Sequence, residues 1–215
     1  LYFQRGMNKM KIIVCDNYDE MSKAAAKIVA EQVKTNPNSV LGLATGSTPI
    51  GMYGELAEMN KRGEIDFKTI RTFNLDEYYP ISADNDQSYR YFMNKNLFSK
   101  INIDISNTHI LNGLCEDTTA ECENFEKLIE QNGGIDLQVL GIGQNGHIGF
   151  NEPSENLNSR THLTDLTENT IQANSRFFDD ISDVPTQALT MGMGTILKAS
   201  LMPAERISTM RLHRF

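Results

Sequence analysis

The chain has 215 residues, 40% of them apolar and 22% charged, a length that α/β folds reach as one unit with a substantial buried core. Its formal net charge of -8 and pI near 5.0 disfavour a nucleic-acid binder, which needs a basic face, but leave room for an anionic small molecule held by local N–H groups and a few cations. Cys15, Cys115 and Cys122 are an odd number without a CxxC spacing, and no apolar run approaches ~18 residues, so the expectation is a cytoplasmic protein with no disulfide framework, zinc site or membrane span.

Residues 1–6, LYFQRG, look like the end of an engineered protease-recognition tag and are set aside, leaving residues 7–215 as a single domain. Lys11 to Cys15 predicts a strand, with turn and N-cap candidates from Asp16 to Asp19 behind it. Ala24, Ala25, Ile28, Val29 and Val33 form one helical stripe, closed by Asn36-Pro37-Asn38. Val40 to Ala44 predicts a strand, TGSTP a loop, and Met52, Tyr53, Leu56 and Met59 a helix. Further strands are expected over 70–75, 109–111 and 135–142, and further helices over 88–97 and 121–129. This alternation predicts an α/β fold, a Rossmann-like three-layer sandwich with a mainly parallel sheet covered on both faces. In such sheets ligands bind beyond the carboxyl ends of the strands, and TGSTP, NLDEYY and GIGQNGH each follow a predicted strand.

Each of these segments has a chemical and a plain structural reading. In TGSTP a glycine among small hydroxyl residues lets backbone approach a ligand, and the following helix N-terminus favours an anion such as phosphate; it also reads as an ordinary helix cap. In NLDEYY, Asp76 and Glu77 are adjacent, so on a strand they face opposite ways and at most one serves as a base, the alternative being a solvated acidic loop. In GIGQNGHIGFNEP the glycines allow a tight turn that aims His147 at a cleft, and Glu152 is placed to fix its tautomer and stabilise its charged form, although a loop histidine is commonly structural. Neither HExxH nor a tight ligand cluster accompanies His147, Glu152 and Asp76, so no metal is expected.

Together, LGLATGSTPIGMYGEL, FNLDEYYPI, GIGQNGHIGFNEP and ANSRFFDDISDVPTQALTMGMGTIL closely resemble the glucosamine-6-phosphate deaminase family, over about Met10 to Ser200. The resemblance implies conversion of glucosamine 6-phosphate and water to fructose 6-phosphate and ammonia, with no cofactor. It makes Asp76 the base that shuttles a proton between C2 and C1, His147 the acid/base of ring opening, and Glu152 the group that orients His147. Asn145 stands where many relatives have aspartate, so it hydrogen-bonds without adding charge. Thr45, Gly46, Ser47 and Thr48 align with the phosphate loop, and Arg176 matches a phosphate-binding arginine on a mobile lid, here about Thr161 to Asp180 and read as a loop with one helix. The partner implied is a small sugar phosphate; the family contains monomers and allosteric hexamers, so the resemblance sets no oligomeric state.

The tail LMPAERISTMRLHRF departs from the family, in which an apolar strand, a turn with a phosphate-binding lysine and a helix follow. Loss of that charge-assisted contact is expected to cost about 1.5–3 kcal/mol of phosphate binding unless another arginine substitutes. Two other functions fit parts of the sequence. A 6-phosphogluconolactonase-like enzyme shares the phosphate loop but needs no enolisation base, and a non-catalytic sugar-phosphate binder could dispense with Asp76.

Overall fold

The computed structural model describes residues 2–4, 12–143, 145–175, 178, 180 and 183–205. Its strands are β1 (Tyr2–Gln4), β2 (Val40–Leu43), β3 (Arg71–Asn74), β4 (Asp76–Tyr79), β5 (Thr108–His109), β6 (Leu137–Gln138), β7 (Leu140–Gly141), β8 (His162–Asp165), β9 (Gln187–Thr190) and β10 (Leu201–Glu205). The α-helices are α1 (Tyr18–Thr35), α2 (Ile50–Lys61), α3 (Tyr89–Asn96), α4 (Thr118–Gln131), α5 (Glu168–Asn174) and α6 (Met193–Ile196).

Local chemistry places the helices. Asn17, Ser88, Asp117 and Thr167 each cap a helix by accepting a backbone N–H three residues on, from Glu20, Tyr91, Ala120 and Thr170. Helix α1 buries Ala25, Ala26, Val29, Ala30 and Val33, the predicted stripe turned slightly about its axis.

The main sheet runs β1-β10-β6-β2-β3-β5, with β7 also on β10; β6, β2, β3 and β5 pair in parallel, and only β1 is antiparallel. All four residues of β2 are buried, as expected of a parallel strand covered on both faces. Phe73 of β3 meets Phe125 of α4 at 5.5 Å between ring centroids. Thr108, paired with Thr72 on the opposite face, accepts a 2.8 Å hydrogen bond from Arg90 of α3. Helices therefore cover both faces, and the predicted α/β architecture is observed.

A second sheet, β4-β9-β8, is wholly antiparallel. It joins the first through Leu75, whose N–H donates to Leu43 O at 3.0 Å and whose carbonyl accepts from Met191 N–H at 2.7 Å.

Three differences from expectation have local causes. Ile12 to Cys15 forms no strand, and Ile12 and Val14 are exposed; the free side of β10, where such a run could pair, is held by Tyr2–Gln4, part of the segment set aside as a tag. Residues 162–165 of the expected lid loop are a strand, because they pair with β9 along their whole length. The tail does supply a strand, β10, in register with Leu137, Leu140 and Gly141. That ladder is interrupted beside Pro203, which has no N–H to donate, and so Leu137 to Gly141 is divided into β6 and β7. The rest of that tail, residues 206–215, lies outside the described residues.

Candidate active site

The strand order alone assembles the site. β6, β2 and β3 are parallel neighbours, so the segments leaving their carboxyl ends, GIGQNGH after β6 and β7, TGSTP after β2 and NLDEYY after β3, emerge side by side.

Asp76 begins β4 and is 6% exposed; Glu77 follows at 2%. Neither belongs to a solvated loop, and strand alternation sends them to different surroundings. The Glu77 carboxylate accepts N–H bonds from Tyr78 at 3.0 Å, Tyr89 at 2.8 Å and Arg90 at 2.9 Å, the last two being the first amides of α3. It is thus committed to a helix N-terminus. Burial nevertheless pushes its carboxyl up to about 7, against the lowering effect of those donors.

Asp76 receives no such support: among the described residues no donor reaches its carboxylate. Burial first, and the Glu77 charge second, push it up to about 8. Its neighbour is the backbone of Gly149, where a Cβ would lie 3.2 Å from Asp76 Oδ2 and 3.0 Å from Thr190 Oγ1. Gly149 has φ +58, and its lack of a side chain lets the histidine-bearing segment lie against the carboxylate. Phe150 N–H donates to Thr190 Oγ1 at 3.2 Å, and Asn151 Nδ2 to Met191 O at 2.9 Å, which fix that contact.

His147 packs on Gly143, where any Cβ would collide with the imidazole. Its Nδ1 lies 2.6 Å from Asn145 Oδ1, and Asn145 Nδ2 donates to Glu152 Oε2 at 2.7 Å. Glu152, expected to orient His147, is linked to it through Asn145, which stands between them. A carboxylate cannot donate, so it orients the amide with Nδ2 outward and Oδ1 toward the ring. His147 then carries its proton on Nδ1, leaving Nε2 to accept or deliver a second one. Thr170 of α5 reaches Glu152 Oε1 at 3.5 Å, linking the expected lid to this chain of groups.

Thr45, Gly46, Ser47 and Thr48 leave β2, with Gly46 at φ +98, and α2 follows behind an N-cap, Pro49, that makes no side-chain capping bond. Arg176 lies outside the described residues. Among the described residues no group of three or more His, Cys, Asp or Glu is arranged to hold a metal, and no helix is long and apolar enough to cross a membrane. The contacts that sequence reading missed come from Gly149, Thr190, Asn151 and Thr170. Gly149, Asn151 and Thr190 all lie in motifs singled out above and Thr170 in the expected lid, but nothing in the sequence assigned these contacts to them.

The family model for glucosamine-6-phosphate isomerases/6-phosphogluconolactonase matches residues 16–200. The chain belongs to this family. Over 190 residues it is 62% identical to the glucosamine-6-phosphate deaminase of Halothermothrix orenii, which takes in 88% of this chain and 79% of that protein. The solved structure of a monomeric glucosamine-6-phosphate deaminase superposes with a TM-score of 0.85 at 47% identity, over 88% of this chain and 79% of the other. A 6-phosphogluconolactonase from Thermotoga maritima is more distant, with a TM-score of 0.61 and 25% identity over 84% and 75% of the two chains. Within the family, then, similarity is greater to the deaminase branch than to this lactonase.

Proposed function

We propose that the protein is a glucosamine-6-phosphate deaminase, releasing ammonia and fructose 6-phosphate from glucosamine 6-phosphate and water, in the cytoplasm and without a metal. The observation that carries the reading is Asp76: a buried carboxylate, without a donor among the described residues, pressed against the segment that bears His147. A lactonase has no use for an enolisation base in that position.

The residues divide the work by their chemistry. Thr45, Gly46, Ser47 and Thr48 bind the phosphate, with Arg176 as the proposed cationic partner. His147, protonated on Nδ1 and held by Asn145 and Glu152, uses Nε2 to move a proton to the ring oxygen as the sugar opens. In the open chain the C1 aldehyde acidifies C2–H. Asp76 takes that proton, leaving an enol amine, and returns it to C1, so that C2 becomes an iminium carbon. Water adds to C2 and ammonia leaves, giving the ketone. These are proton transfers and one addition of water, none of which requires an oxidant, a reductant or a Lewis acid.

The test is incubation with glucosamine 6-phosphate in deuterated water, followed by NMR, with Asp76→Asn as control. Ammonia release with deuterium entering at C1, both abolished in the control, is the expected result. Binding without turnover would make the protein a sugar-phosphate binder, and hydrolysis of 6-phosphogluconolactone instead would place it with the lactonases.

A further inference from the structure

Tyr18 opens α1 and lies outside every segment given a chemical role above. Its hydroxyl is 3.1 Å from Ser47 O and 3.0 Å from Thr48 O, and it accepts the Gly51 N–H at 2.8 Å. A phenol has one proton and two lone pairs, so the O–H serves the two carbonyls and a lone pair takes the amide. That amide is one of the first N–H groups of α2, which Pro49 leaves without a side-chain cap. Tyr18 supplies the cap from about thirty residues upstream in the chain.

The packing is built around the same contact. A Cβ at Gly51 would collide with Ser22 Oγ and stand 3.0 Å from Tyr18 Cε1, so the first turns of α1 and α2 meet at this distance because residue 51 is glycine. In a trans peptide C=O and N–H point in opposite directions. Drawing the Ser47 carbonyl toward Tyr18 therefore turns the Thr48 N–H away from it. Among the described residues no acceptor engages the N–H of Ser47 or Thr48.

We propose that Tyr18 is a positioning residue for phosphate binding: its hydroxyl pins the Ser47 and Thr48 carbonyls and caps α2, holding the loop's free N–H groups toward the anion. The role depends on residues 45–48 being the phosphate loop, and the experiment separates the two. Inorganic phosphate and fructose 6-phosphate are titrated calorimetrically into the parent chain and into Tyr18→Phe, Ser22→Ala and Gly46→Ala, with melting temperatures recorded for each. Gly46→Ala strains the loop at φ +98 and tests the loop itself. Ser22→Ala perturbs the α1–α2 contact but leaves the Tyr18 hydroxyl.

Tyr18→Phe is expected to weaken both ligands about 3- to 10-fold, the loss of one or two hydrogen bonds, while Ser22→Ala binds like the parent. Unchanged affinity in Tyr18→Phe, with Gly46→Ala impaired, overturns the role of Tyr18 and leaves the loop standing. Equal losses in Tyr18→Phe and Ser22→Ala reduce Tyr18 to a packing residue and also overturn it. If Gly46→Ala binds normally, or the parent binds neither ligand, the loop reading fails and the proposal with it.

Discussion

Asp76 costs the fold stability and gives the proposed reaction its base. Its carboxyl is held up to about 8 by burial, while in the unfolded chain it ionises near the usual ~4. The sign follows: below both values the group is protonated in either state and folding is indifferent to it; as pH rises toward 8, the unfolded chain loses the proton and the folded one keeps it, so stability falls. Asp76→Asn should therefore melt at a higher temperature than the parent, by a margin that grows from about pH 4 to about pH 8, while abolishing deuterium entry at C1. Thermal melts at several pH values check it; a margin flat with pH would show that the carboxylate is solvated in the folded protein. Asn145 gives a second test at this scale. Asn145→Asp places a negative charge 2.6 Å from His147 Nδ1 in place of a neutral oxygen and favours the imidazolium. The kcat/KM profile of this variant should therefore move to higher pH; an unmoved profile would take His147 out of the rate-limiting proton transfers.

The elements that carry the site are short strands with glycine-dependent exits. His147 rests on the backbone of Gly143, with no room for a methyl group between them. Gly143→Ala should therefore tilt the imidazole by a large fraction of an ångström and lower kcat about 100-fold with little change in phosphate affinity. Turnover measured beside a phosphate titration separates the two, and a matching loss of phosphate binding would point to collapse of the whole loop. This much was legible in the sequence, because β2 and the Leu137 to Gly141 stretch are largely apolar, β3 lies between Ile70 and Leu75 with Phe73 within it, and each ends in a polar or glycine-rich segment. The β4-β9-β8 sheet was not. Its strands, DEYY, QALT and HLTD, lack a clean apolar alternation, and β4 finds its place only by pairing with β9, more than a hundred residues further on in sequence, as Asp76 does with Thr190. The Asn145 bridge was also hidden, since spacing alone could not tell whether Glu152 would reach the ring or stop one group short.

At the scale of the molecule, the two sheets have to be held at a fixed distance for Asp76 and His147 to share a substrate, and a buried carboxylate that the chemistry does not use contributes to this. Glu126 lies on the core face of α4 beside Cys122, Phe125 and Ile129, at 2% exposure. It accepts the Thr161 N–H and Thr161 Oγ1, each at 2.7 Å, and Thr195 Oγ1 at 2.7 Å, so that α4, the entry to β8 and α6 meet on one group. The Arg160 guanidinium stands 3.9 Å away on the solvent side. Periodicity on α4 shows an apolar face and no reason for a glutamate within it; the reason lies 35 and 69 residues further on in the chain. Glu126→Ala strands three buried donors and should lower the unfolding free energy by about 2–4 kcal/mol, whereas Glu126→Gln keeps one oxygen acceptor and should lose less. Chemical denaturation measures both. Equal losses would mean that the charge is what matters at this junction, and no loss in either would show that strand pairing alone holds β8 and β9 beside Asp76.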